Sequence, residues 1–232
     1  MQFIKIIIFI LLLFLLFKML VVSFEKFLIN DKKWLDYRLG DIVKGFFYKT
    51  NNKFYLDKIE KTLPDSIGGK YIIATKNLKG EEKINNFKIL KKIIDDKKSE
   101  IPKKNDIVFH IRLGDIIGDF KNNVVVITKK NWGINLNQIE NILKKMKNKN
   151  QKIILIYGSH KKKINMKANK LFLEEIKKIL VNNNFQFEEK NSSNPDEDFV
   201  YMCNSKKFIK SGGGFSRLIS NIVKLNGGKI LN

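Results

Sequence analysis

Apolar runs and apolar stripes alternate along the second half of the chain. Ile107 to Ile111 is apolar on both faces apart from His110, the pattern of a central strand with helices packed above and below it. Val124 to Thr128, Ile153 to Tyr157, Phe185 to Phe187 and Phe208-Ile209 are further short runs of strand character. Between and around them the period changes to that of a helix. Ile84, Phe87, Leu90, Ile93 and Ile94 place a helix before the first strand. Leu136, Ile139, Ile142, Leu143 and Met146 place a second, with Asn135 and Gln138 spaced as a capping box at its start. Leu171, Phe172, Ile176, Ile179 and Leu180 mark a third, and Leu218, Ile219, Ile222 and Val223 mark the last. Asn194-Pro195-Asp196-Glu197 opens another, with a capping Asn, Pro at the first helical position and Glu at the third. Strands alternating with helices in this way predict an α/β fold with a doubly wound parallel sheet.

The N-terminal third is patterned differently. Ile6 to Phe17 is unbroken apolar, and Phe3 to Phe24 is long enough to span a bilayer with Lys5 and Lys18 snorkelling at its ends. An uncleaved membrane anchor over residues 1–24 is the expectation, with a cleaved signal peptide as the rival. Lys26, Lys32, Lys33 and Arg38 follow the span, so a count of positive charges favours a cytoplasmic body. Residues 25–104 carry aromatics without a clean period and hold a turn at Pro64 to Gly69, a candidate strand at Tyr71 to Ala74 and the helix before Ile107. Polar residues from Lys97 to Asn105 form the boundary to a third unit, residues 105–232.

Net charge bears on the choice of partner. The chain has 232 residues and a formal charge of +22 from 45 basic and 23 acidic side chains, which taken alone suggests nucleic acid or an anionic membrane. Only Arg38, Arg112 and Arg217 are arginines, and Lys, Asn and Ile are abundant throughout. The excess therefore reads as a general compositional bias, and no nucleic-acid partner is expected. Cys203 is the only cysteine, so no intrachain disulfide forms, and its apolar neighbours mark it as a buried thiol. No Cys/His cluster and no Asp-x-Asp between apolar runs offers a metal site, so no metal ligands and no cofactor are expected.

Two stretches carry chemistry. Asp106 to Asp115 reads D-I-V-F-H-I-R-L-G-D, and Arg112 and Asp115 bracket Gly114 where the first strand ends. Open α/β sheets place their ligand crevice at that edge, and a guanidinium there can fork onto a phosphate; the plain alternative is an Arg-Asp pair stapling a turn. Phe208 to Ser220 reads F-I-K-S-G-G-G-F-S-R-L-I-S. Its three glycines let backbone amides approach a ligand and aim the positive end of the following helix at it. A copy of the first turn, Arg38-Leu39-Gly40-Asp41-Ile42, lacks the preceding apolar strand and the histidine, and is read as a decoy.

Together these stretches resemble motifs of the α-1,2/α-1,6-fucosyltransferase superfamily: a strand-borne His-x-Arg-x-Gly-Asp, here His110 to Asp115, and a later serine-flanked turn, here Ser211-Gly212-Gly213-Gly214-Phe215-Ser216, with Asp198 to Cys203 upstream. The resemblance covers roughly Asp106 to Gly228 and marks a divergent member: Leu113 stands where the α-1,2 enzymes have a second Arg, and Arg217-Leu218 where an aromatic pair follows Phe-Ser. It implies a Rossmann-like, GT-B-type donor half and a metal-independent glycosyltransferase that uses GDP-fucose or another nucleotide sugar and a glycan acceptor. Arg112 would take the β-phosphate, the amides of Gly213, Gly214 and Phe215 the rest of the diphosphate, and Ser216 a further contact. Ser211 and Gly212 complete the donor turn. Asp115 would orient Arg112, and His110 would bond the donor or brace the turn. Ser159 and His160, where the Ile153 strand ends, become donor candidates, a solvent-facing turn being the alternative. A general base is not evident; Asp198 and Glu197 are candidates, although acids in a first helical turn have an ordinary dipole explanation. Two other readings stand beside this one: a protein that kept the nucleotide-sugar fold without transfer activity, and a basic membrane-anchored protein that binds nucleic acid or lipid.

Overall fold

A computed structural model describes residues 80–97, 99–121, 124–127, 132–159, 166–192 and 194–232. The predicted anchor, the candidate strand at Tyr71 to Ala74, the second R-L-G-D copy and His160 lie outside the described residues. Among the described residues no helix is long and apolar enough to cross a membrane.

The fold opens with α1 (Gly80–Asp95) and the central strand β1 (Ile107–Leu113), every residue of which is buried. A hairpin of β2 (Ile117–Lys121) and β3 (Val124–Ile127) follows, then α2 (Leu136–Lys145) and β4 (Ile153–Ser159). The chain continues through α3 (Met166–Asn182), β5 (Phe187–Glu189), α4 (Pro195–Cys203) and β6 (Lys207–Ile209) to α5 (Gly213–Leu225) and β7 (Lys229–Ile230). Five of the strands form one parallel sheet in the order β5-β4-β1-β6-β7. The chain winds outward from β1 through β4 to β5, then returns to the other side of β1 for β6 and β7. Strand order therefore reverses between β1 and β6, and a switch point of that kind leaves a crevice at the carboxyl edge of the sheet.

Alternation along β1 divides the core into two layers. Val108 faces a cluster built from α1, α4 and α5, with Leu90, Ile94, Phe199, Met202, Ile219 and Ile222 fully enclosed or nearly so. Ile107, Phe109, Ile111 and Leu113 face the opposite cluster, where α2 supplies Ile139 and Leu143 and α3 supplies Phe172, Ile176 and Leu180. Helices thus cover both faces, as the two-sided apolar character of β1 requires. The architecture is Rossmann-like α/β. Ile84, on the predicted apolar stripe of α1, is half exposed, while Phe87, Leu90, Ile93 and Ile94 pack inward.

The strand pattern departs from expectation in three places. The β-branched run at Val124 pairs antiparallel with Ile117 to Lys121 in a separate two-stranded sheet and adds nothing to the parallel one. Residues 114–123 are too few for the crossover that a parallel neighbour of β1 needs. The predicted strand at Phe185 begins two residues later. Phe185 is buried beneath the end of α3, where its N–H bonds the Leu180 carbonyl, and Phe187 takes the register position opposite Ile153. Strand β7 has only two residues, too short to leave a period in the sequence.

Candidate functional site

β6 pairs with β1 only from Ile107 to Phe109, whereas β4 runs beside β1 to Leu113. Beyond Ile209 the chain leaves the sheet, and the glycine turn folds into the gap beside the last residues of β1. Ser211 takes over where the ladder stops: its Oγ accepts the Arg112 backbone N–H at 3.0 Å. The Ser211 N–H in turn donates to Ser216 Oγ at 3.0 Å, and the Ser220 hydroxyl donates to the Ser216 carbonyl at 2.8 Å. All three serines are buried, Ser216 completely. They tie the end of β1 to the first two turns of α5, and the Ser216 hydroxyl accordingly acts as a brace inside the turn.

Alternate positions on β1 set where His110 and Arg112 point. Both are buried. The His110 ring lies 5.3 Å from that of Phe215, which also packs against Phe199 at 5.6 Å, so the histidine sits under the first turn of α5 and is linked through it to α4. The Arg112 side chain is 8% exposed, and its guanidinium bonds Asp115 Oδ1 through Nη2 at 3.1 Å. Its Cζ stands 4.9 Å from the centre of the Trp132 ring. Nε is buried and has no hydrogen-bond partner among the described residues, a costly state for a charged donor.

The third neighbour of that guanidinium is the glycine turn. Gly213 has φ +71°, and a Cβ placed on it would lie 2.5 Å from Arg112 Nη1. Gly212 is hemmed in from another direction, since a Cβ there would meet the Trp132 carbonyl carbon at 2.6 Å. Only glycine satisfies both contacts. Gly212 is the N-cap of α5 and, being glycine, offers no side-chain cap bond. The first turn of a helix leaves its amides without intrahelical acceptors and carries a partial positive charge. A buried guanidinium and a helix start thus lie in contact at the switch point. Chemically, the corner suits an anion with several oxygens, such as a phosphate or diphosphate.

Of the residues singled out from the sequence, His110, Arg112, Asp115, Ser211, Gly212, Gly213, Phe215 and Ser216 come together here, with Gly214 in the same turn of α5. Ser159 lies at the same sheet edge, opposite Leu113 on the β4 side of β1. Asp198 is buried and accepts the Ser192 N–H at 2.9 Å, so its carboxylate shapes the loop before α4, while Glu197 is exposed. Burial pushes the Cys203 thiol well above its usual range, which keeps it inert. Among the described residues no three His, Cys, Asp or Glu side chains cluster as a metal ion requires.

Sequence reasoning missed two residues. Trp132 covers the guanidinium; its signal was a large aromatic directly before the glycine and capping residues that open α2. Asn169 is buried on the inner face of α3, and its Oδ1 accepts the Gly114 N–H at 2.8 Å, holding the turn in which Gly114 adopts φ +90°. An Asn interrupting the apolar stripe one turn before Phe172 and Leu173 was the legible sign.

No protein-family model, no curated protein and no solved structure matches the chain.

Proposed function

We propose that the chain is a glycosyltransferase that takes its sugar from a nucleotide-sugar donor, GDP-fucose being the expected one, and passes it to a glycan hydroxyl. One observation carries this reading: the Arg112 guanidinium, buried and with Nε unsatisfied, rests against Gly213 in the first turn of α5, on the crevice side of the switch point. Breaking a glycosidic bond to a diphosphate gathers negative charge on the leaving oxygens. Fixed donors in a closed corner stabilise that charge by about 3–4 kcal/mol each. Arg112 takes the β-phosphate, and the amides of Gly213, Gly214 and Phe215 take its neighbour. Asp115 and Trp132 hold the guanidinium in place, and His110 supports the turn through Phe215. In this reading residues 105–232 are the donor half of a GT-B-type enzyme, residues 25–104 the acceptor side, and residues 1–24 a membrane anchor. The transfer is metal-independent, because the guanidinium and the amides carry the charge.

A thermal-shift screen of the full chain against GDP-, UDP- and CMP-sugars tests the proposal. Donor at a hundred times its dissociation constant adds about 2.7 kcal/mol to folding stability, roughly 5–10 °C in Tm for a chain of this size. Arg112→Ala abolishes that shift, and Arg112→Lys, which keeps the charge without the fork, restores only part of it. Stabilisation that survives in Arg112→Ala, or no response to any sugar nucleotide, rejects the assignment.

Leu113 supports a second reading. It is fully buried in the α2/α3 layer, on the face opposite Arg112, so this position brings no second guanidinium to the corner. A protein that binds a nucleotide sugar without transferring it has that composition. Slow release of free GDP from GDP-fucose separates the two readings, since only a transfer-competent site hydrolyses its donor.

A further inference from the structure

We propose that the groove between α2 and α5 binds an acidic oligosaccharide. It encloses about 560 Å³ at the carboxyl end of β6, inside the range of roughly 300–1,000 Å³ typical of ligand clefts. Lys145 of α2, Lys210 after β6, and Arg217 and Lys224 of α5 all line it with Asn232, and among the described residues no Asp or Glu side chain does. None of these four cations is ion-paired among the described residues, whereas Lys144, next along α2 but outside the groove, bonds Glu140 at 2.7 Å. Four uncompensated cations around one cleft favour an anionic occupant.

The neutral part of the lining identifies the class. Gln138 and Asn141 on α2 face the groove with Asn221 on α5, and side-chain amides both donate and accept, which matches sugar hydroxyls. Among the described residues no aromatic ring lines the groove, so they give nucleobases no surface to stack on, and stacking is what single-stranded nucleic acid draws on beyond its phosphates. Carboxylated or sulfated sugars supply charge and hydroxyls together.

The groove shares Ser211, Gly212 and Gly213 with the guanidinium corner, but Arg112 does not line it. Saccharide binding stands apart from the transferase reading; only the occupant's use as the acceptor rests on it.

The test titrates the full chain with a hyaluronan hexasaccharide, a neutral malto-hexasaccharide and an oligothymidylate of matching charge, all at one physiological ionic strength. The acidic saccharide binds most tightly. Lys145→Ala/Lys224→Ala weakens it roughly tenfold, and Asn141→Leu, which alters no charge, weakens it about threefold to fivefold, each tenfold being one step of about 1.4 kcal/mol. The exposed pair Lys103→Ala/Lys104→Ala, outside the groove, changes it less than about twofold, as solvated charges do. The inference is overturned if both lysine pairs weaken binding equally, if the oligothymidylate binds as tightly as the acidic sugar, or if Asn141→Leu has no effect. The GDP-fucose thermal shift is read in the same variants and is unchanged by Lys145→Ala/Lys224→Ala, so failure of the donor reading and failure of the groove show up separately.

Discussion

Gly213 answers to two constraints, and they can be measured apart. Its φ of +71° costs a residue with a Cβ about 1–2 kcal/mol, and its Cβ position is occupied by Arg112 Nη1. Gly227 has the same φ of +71° with nothing within 4 Å of its Cβ position. Gly227→Ala therefore reports the backbone cost alone. Gly213→Ala adds displacement of the guanidinium, and we expect its Tm to fall by at least several degrees more and the donor-dependent shift to disappear. In an Arg112→Ala background the difference between the two alanine variants shrinks to within about 0.5 kcal/mol, as a double-mutant cycle on a contacting pair requires. Differential scanning fluorimetry of the six proteins decides the point; an undiminished difference means that Gly213 is needed for a reason other than Arg112.

At the scale of elements, α2 matters because of what precedes it. Asn135 Oδ1 accepts the Gln138 N–H at 2.8 Å and Gln138 Oε1 accepts the Asn135 N–H at 3.0 Å, so both halves of the capping box are made. Three residues before the cap, Trp132 lies over Arg112 and against Gly212. Asn135→Ala is expected to lower stability by about 1 kcal/mol, a fall of about 2–4 °C in Tm, and to weaken nucleotide-sugar stabilisation as the Trp132 segment loses its anchor. An ordinary loss of Tm with an intact ligand shift would show that the cap serves the helix alone. The cap pattern was readable because it is local, confined to the four residues from Asn135 to Gln138 and indifferent to the rest of the fold. Asn194 is a second case: its side chain accepts the Asp196 N–H with Pro195 in the first turn, as the four-residue pattern predicts.

Over the whole molecule, several groups prefer their protonated form when folded. Burial raises Tyr157, with the Glu189 carboxylate 2.8 Å from its hydroxyl adding to the effect. Burial, helped by Glu100, pushes Tyr201 up to about 12, and burial alone raises Cys203. Burial would lower Lys177, but its hydrogen bonds to Glu189 and Glu174 outweigh that, and its pKa rises. Each folded pKa lies above its unfolded value, so above the unfolded pKa the denatured chain binds fewer protons and stability falls as pH rises. The contribution is complete only well below the ordinary thiol pKa of 9.0, and drains away as pH climbs through the raised values. Urea midpoints measured from about pH 7.5 to about pH 11, across the ordinary thiol and tyrosine range, should hold steady at first and then decline, with a shallower decline in Tyr157→Phe. A midpoint that rises over that range contradicts the assignment of these groups.

Periodicity, caps and turn residues act over a few positions, and for that reason α1 to α5, the buried strand β1, the glycine turn and the alternating α/β class were all legible before any coordinates. The antiparallel pairing of β2 with β3, the late start of β5 and the two-residue β7 were not, because pairing and register depend on which neighbour a strand meets in space. The contact between Arg112 and the turn that begins at Ser211 belongs to the same kind: the two are 99 positions apart, and each stretch alone fits a plain structural turn as well as a binding one. They meet because β6 lies next to β1 at the point where strand order reverses, and because β6 stops short and lets the chain fold over the end of its neighbour. Local chemistry along the chain made these residues capable of holding an anion; the winding of the sheet put them on one side of the same corner.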